Sequence, residues 1–328
     1  MYIKRNYSFW MTFSWSSKPF LIGLLYAFAV NAFAKFLEIP IYLPWQPMSV
    51  IGIAVAFYLG FKNNSSYDRT WEARKIYGGI VNSSRTFGAA VTTFVQGSEQ
   101  DIIRKELIYR HIAWLTALRY QLRLSKEWEH VENRIKGRFT PTICEVYIDQ
   151  LDKELAKYIS AEEVESYNGK ANIATQIMRK QSERLQELRE AEYFEDFRHM
   201  EFHQLISEFY GDQGKSERIK TFPFPRQYAS TALWLTCVFA LLTPLGMVDV
   251  FQNMSGLAYW LSPVISALVI WIFFLMEKIG DYSENPFEGT YNDVPITAIS
   301  RTIEIDLREM IKDSDIPDPI KAENGFLL

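Results

Sequence analysis

Met48-Ser-Val-Ile-Gly-Ile-Ala-Val-Ala-Phe-Tyr-Leu-Gly-Phe61 runs without a break into Lys62-Asn-Asn-Ser-Ser-Tyr-Asp-Arg-Thr-Trp-Glu-Ala-Arg-Lys-Ile-Tyr-Gly78. The first run has no charge; the second carries Lys62, Asp68, Arg69, Glu72, Arg74 and Lys75. Ile53, Phe57 and Phe61 recur every fourth residue, the spacing that stacks side chains on one helix face. Gly52, Ala54, Ala56 and Gly60 are small enough to let neighbouring helices approach. Proline is absent from Met48 to Phe94. The spacing therefore predicts a helix that starts near Met48, behind Pro40, Pro44 and Pro47, and continues far past its apolar part.

The same contrast between apolar and charged segments extends to the whole chain. Charge is absent from Pro19 to Ala34 (16 residues), Ile39 to Phe61 (23), Gln227 to Val248 (22) and Val250 to Met276 (27). At about 1.5 Å per helical residue the last three match or exceed a hydrocarbon core of roughly 30 Å. The first can lengthen by letting Lys35 reach toward the headgroups. Spans are thus expected at 19–38, 47–61, 227–248 and 254–276. Between Ser98 and Arg226, by contrast, 44 of 129 residues are charged, which requires water. Lys4, Arg5 and Lys18 precede the first span, Lys62, Arg69, Arg74 and Lys75 follow the second, Lys220 and Arg226 precede the third, and Lys278 follows the fourth. The positive-inside rule places both termini, 62–226 and 277–328 in the cytoplasm.

That middle region reads as helical. Ile108, Ile112, Leu115 and Leu122 make one stripe, and Ile148, Leu151, Leu155 and Tyr158 another. Breakers fall at Gly137 to Pro141, Asn168 and Gly169, Gly211 to Gly214, and Pro223 with Pro225. The segment from Asp313 to Leu328 reads as a tail that needs a neighbouring surface to cover Phe326, Leu327 and Leu328. The fold class is all-α. Eighteen aromatic-rich residues ahead of the first apolar stretch, with no small-residue cleavage pattern after it, argue against a cleaved signal peptide. With only Cys144 and Cys237 there is no disulfide framework. A net charge of −4 argues against nucleic acid as a partner. No Walker loop, serine elbow or paired-cysteine motif is present, so neither an enzyme nor a cofactor is expected.

Gly60 to Lys75, Glu217-Arg-Ile-Lys-Thr-Phe-Pro-Phe-Pro225 and Asn285-Pro-Phe287 resemble the bestrophin family in its bacterial form. The similarity runs over nearly the whole chain. It implies a homopentameric, four-span channel for small monovalent ions in the bacterial inner membrane, with one axial pore lined by the second span. The family's hydrophobic neck maps onto Ile53, Phe57 and Phe61; such constrictions gate ions by dewetting. A second, cytoplasmic constriction maps near Phe197. The resemblance and the negative net charge both favour cations. Animal members hold calcium in an acidic run after Asn-Pro-Phe. Here Glu288-Gly-Thr-Tyr-Asn-Asp293 lacks that run, and no calcium site is expected.

Other residues carry sharper and plainer readings. Asp68, Arg69, Glu72 and Arg74 fit an ion-attracting vestibule, or else structural ion pairs between packed helices. Glu195, His199 and His203 are spaced for metal ligation from one helix face, though an i, i+4 histidine pair also occurs as surface decoration. Asn63, Asn82 and Asn253 begin glycosylation patterns that fit no function here. A rival reading is a membrane-anchored scaffold or sensor whose charged helices bind a partner. An anchor, however, needs no small residues opposite regularly spaced bulky ones.

Overall fold

The computed structural model describes residues 1–36, 41–130, 144–290 and 292–327. Its helices are α1 (Phe9–Phe36), α2 (Trp45–Phe94), α3 (Gln100–Arg123), α4 (Cys144–Leu155), α5 (Ala161–Ser166), α6 (Ile173–Glu190), α7 (Asp196–Thr221), α8 (Arg226–Phe251), α9 (Leu261–Tyr282) and α10 (Ile296–Met310). Among the described residues the β-structure amounts to two isolated bridges, Tyr2 with Phe326 and Glu323 with Phe326. The chain divides into an apolar unit, Lys4–Arg69 with Phe224–Glu284, and a polar unit of Met1–Ile3, Thr70–Pro223 and Asn285–Leu328.

In the apolar unit, α1 begins ten residues ahead of its charge-free stretch. Ser8 sets that start, its Oγ accepting from the Met11 N–H at 3.2 Å. Pro19 therefore lies inside the helix. It has no N–H to offer the Trp15 carbonyl, and Lys278 Nζ of α9 donates to that carbonyl instead, at 2.7 Å. α2 begins at Trp45, whose N–H is capped from α8 by Asp249 Oδ2 at 3.1 Å. Pro47 falls in the first turn, where a missing donor costs little.

Among the described residues, three helical stretches are long and apolar enough to cross a membrane: Phe9–Phe36, Arg226–Phe251 and Gly256–Tyr282. α2 is not among them. The residues from 41 to 44 are not helical, so its charge-free helical part, Trp45 to Phe61, spans about 25 Å rather than the full stretch. Leu37, Glu38 and the break expected at Gly137 to Pro141 lie outside the described residues.

The polar unit is built on α3, whose expected stripe of Ile108, Ile112, Leu115 and Leu122 is buried. So are Arg110, His111, Trp114 and Arg123 on its other faces. Ile102 and Lys105 in its first turns are exposed, but from Leu107 to Arg123 it is enclosed and must satisfy its polar groups internally. Arg110 does so with a forked pair to Glu163, at 2.9 and 2.8 Å, and Trp114 Nε1 donates to Gln213 Oε1 at 2.9 Å. In the second stripe Leu155 is buried, while Tyr158 packs on the core from beyond the end of α4. The Phe-Pro-Phe-Pro segment separates α7 from α8, as read. The tail behaves differently from expectation: Phe326 is buried against the chain's own start, its ring centroid 5.0 Å from that of Tyr2 and tilted 49° to it. The Ile3 N–H donates to Gly325 O at 2.9 Å and the Leu327 N–H to Met1 O at 2.8 Å. Leu328 lies outside the described residues.

His111 gives this unit a pH dependence. Its Nε2 meets Ser84 Oγ at 2.9 Å among the rings of Phe87, Trp114 and Phe209. Burial pushes its pKa from 6.5 down to about 3. Below pH 6.5 the unfolded chain takes up a proton that the folded chain refuses, so stability is lost as pH falls from there toward 3. By pH 5 the loss from this one group is about 2 kcal/mol. Unfolding of the solubilised protein at pH 7.5 and pH 5 measures it, and His111→Gln is expected to flatten the difference; an unchanged slope would contradict the assignment.

Candidate functional site

Ile53, Phe57 and Phe61 are 70%, 69% and 58% exposed along one face of α2. The Phe57 and Phe61 rings meet edge to face, 4.6 Å apart at 84°. The opposite face is packed. Met48, Val55 and Leu59 are buried with Ala232 and Phe239 of α8, and Phe273 and Met276 of α9 pack on them. Of the small residues read as a packing surface, Gly52 is needed most: a Cβ there would stand 2.9 Å from the Phe239 ring. Ala54 is exposed and Gly60 faces open space.

Asp68, Arg69, Glu72 and Arg74, the vestibule candidates, separate into two kinds. Arg69 and Glu72 have structural partners: Arg69 Nε donates to Glu284 O at 2.9 Å, and Glu72 pairs with Arg218. Asp68 and Arg74 are exposed. Glu284 itself is buried and paired with Arg226; burial pushes its carboxyl above the usual range against the pull of that guanidinium.

Phe197, in the first turn of α7, is 86% exposed. Glu195 is not on the same helix face as the two histidines, because it is the extended residue preceding α7. His199 lies parallel to the Phe194 ring, 6.2 Å away, and burial with the nearby His203 lowers its pKa. His203 instead lines an open cleft of about 540 Å³ with Arg179, Glu183 and Tyr210. Among the described residues no three His, Cys, Asp or Glu side chains converge as a metal site would require.

The loop after Asn285-Pro-Phe287 uses its acids internally. Asp293 accepts from Arg123 at 3.0 Å, from Thr290 Oγ1 at 2.8 Å and from the Gly289 N–H. Glu288 accepts from Asn285 at 3.1 Å and faces His130 at 3.3 Å. A tight calcium site needs six to eight oxygen ligands including converging carboxylates, and these two already have protein donors. Ion flux through the reconstituted protein is therefore expected to be the same with micromolar calcium as with a chelator. A reversible rise that vanishes in Asp293→Ala would show otherwise.

Two residue signals were missed in the sequence. Lys62 closes the second apolar stretch and Glu277 the fourth, with opposite charges, and they form a buried pair at 2.8 Å. Arg123 and Asp293, 170 residues apart, left no local signal.

The voltage-dependent anion channel-forming protein YneE of Escherichia coli K12 is similar to this chain, 25% identical over 313 residues that cover 95% of it and 92% of the relative. The voltage-dependent anion channel-forming protein mll4386 of Mesorhizobium japonicum is 24% identical over 310 residues, covering 94% and 89%. The crystal structure of a bacterial bestrophin homologue from Klebsiella pneumoniae shares the fold, with a TM-score of 0.75 at 22% identity over 90% of this chain and 98% of that one. The expectation of cations is overturned by these relatives, both named as voltage-dependent anion channel-forming proteins. Its physical premise was weak as well, because a net charge summed over the whole chain does not set the field at one exposed helix face. The Escherichia coli and Mesorhizobium relatives are named as channel-forming proteins and not as enzymes. The sequence pattern described as Bacterial/Fungal Bestrophin protein matches residues 16–309, and together with the three apolar helices it makes this chain a membrane protein of the bestrophin family.

Proposed function

We propose that the chain forms a channel for small monovalent anions, with Ile53, Phe57 and Phe61 as the neck of an axial pore. The observation that carries this reading is the split character of α2: one face is packed by α8 and α9, while three bulky apolar residues one turn apart stay uncovered on the other. A single α2 encloses nothing, so the reading requires a closed ring of subunits, and the family resemblance makes it a pentamer. In such a ring each residue repeats as a tier, with tiers about 6 Å apart along the axis. Phenylalanine edges are electropositive, and an edge turned to the axis favours an anion. Phe197 supplies a second constriction in this reading, and Asp68 and Arg74 the charges an entering ion meets.

α2 crosses the membrane as the short second span, its 25 Å or so made up by its neighbours in the ring. The lysines and arginines that flank the spans support a plasma-membrane protein with both termini in the cytoplasm. The test is the sign of the reversal potential under a potassium chloride gradient across a bilayer holding the purified protein. A shift toward the chloride equilibrium potential is the expected result. A shift toward that of potassium, or a conducting monomer by native mass spectrometry, would overturn the reading.

A further inference from the structure

Lys62 leaves α2 one residue after Phe61, roughly 100° around the helix from it. It is 3% exposed, with Nζ 2.8 Å from Glu277 Oε1 and 3.8 Å from Asp281 Oδ1, both on α9. The next residue ties the same two helices: Asn63 Nδ2 donates to Leu59 O at 2.9 Å and across to Met276 O at 3.1 Å. Gly280 makes the approach possible, since a Cβ there would stand 3.0 Å from Asn63 Oδ1 and 3.4 Å from Lys62 Cγ.

A buried ion pair is a poor way to hold two helices together, because apolar side chains of similar volume serve as well or better. What a charge pair adds is direction. Lys62 can satisfy its ammonium only while α2 keeps one rotation and one height against α9, and that setting also fixes where Phe57 and Phe61 point. Turning the neck residues aside by rotating α2 pulls the ammonium off its carboxylates. Sliding α2 by one turn breaks the Asn63 bond to Met276 as well.

We infer that Lys62 and Glu277 are positioning residues for the neck: their pair holds α2 in the rotational setting that turns Phe57 and Phe61 toward the pore axis. The inference rests on the reading of that face as the neck.

The experiment uses the full-length protein in planar bilayers, with assembly checked by native mass spectrometry. Lys62→Met and Glu277→Gln are each expected to assemble normally while shifting the open-to-closed ratio by roughly two- to thirtyfold. The charge-exchanged double variant, Lys62→Glu with Glu277→Lys, is expected to return it toward wild type. Phe61→Ala runs alongside as the control for the neck itself. Wild-type gating in both single variants, with an altered Phe61→Ala, would overturn the positioning role and leave the neck standing. A Phe61→Ala channel indistinguishable from wild type would overturn both. Should the single charge variants fail to assemble, Gly280→Ala decides, since it presses on Lys62 and Asn63 without removing a charge: an altered ratio supports the role and a wild-type ratio overturns it.

Discussion

Channels carrying Phe61→Ala or Phe57→Ala are expected to pass several times the wild-type single-channel current. In a ring, each of these positions places an apolar collar around the axis. Water held in such a collar loses hydrogen bonds and gains none, so the constriction tends to empty, and an ion crossing it must shed part of its hydration. Alanine removes the ring and leaves a methyl group, widening the collar and restoring a water column. The two rings touch each other edge to face, so removing one also frees the other to rotate, and the double variant is expected to exceed the sum of the singles. Ile53→Ala removes less bulk and is expected to do less. Single-channel recording measures all four. Unchanged currents in the Phe57 and Phe61 variants, with normal assembly, would remove the neck from this face of α2.

Asp293→Ala is expected to destabilise the polar unit by about 3–5 kcal/mol, the usual cost of breaking a buried pair from one side. Arg123 is left behind at 3% exposure, with the Phe287 carbonyl at 3.1 Å as a remaining acceptor. A guanidinium cannot shed its charge. Arg123→Met is expected to cost less, because the partner it abandons can be neutralised. Burial already pushes the Asp293 carboxyl upward, and Arg123 is the first influence opposing that push. A carboxyl whose folded pKa is raised contributes stability that is present below its unfolded value and lost as pH rises through the folded one. Relative to wild type at the same pH, Arg123→Met is thus expected to lose less stability at pH 5 than at pH 8, while Asp293→Ala gains nothing of this kind at low pH. Thermal unfolding of each variant at the two pH values separates them. Equal losses with the same pH trend would contradict the account.

What the sequence made legible follows from where each signal resides. The period of Ile53, Phe57 and Phe61 is local, and it was enough to put them on one face. The prolines at 223 and 225 act on their own backbone, and the boundary between α7 and α8 falls there. The start of α2 was less legible, because its cap is Asp249. The vestibule of two acids and two arginines was only half resolvable for a similar reason: nothing near Arg69 or Glu72 announces Glu284 or Arg218. His111 carried no signal at all, since a histidine in a charged, helical stretch reads as a surface residue. Its burial is decided by Phe87 and Phe209, which lie on two other helices. The net charge misled because it is a global sum used as if it were a local field.

The Trp15 carbonyl has a consequence for how the chain can change over generations. Proline at position 19 takes away that carbonyl's partner, and lysine at 278 fills the vacancy from another helix. Replacing Lys278 alone strands an acceptor; replacing Pro19 alone restores an N–H that competes with the lysine for it. Substitution at either position is therefore easier after the other has changed, and the two positions form one heritable unit although 259 residues separate them. Among bacterial relatives, a non-proline at the first is expected to go with a non-lysine at the second, a correlation that helix propensity alone has no reason to produce.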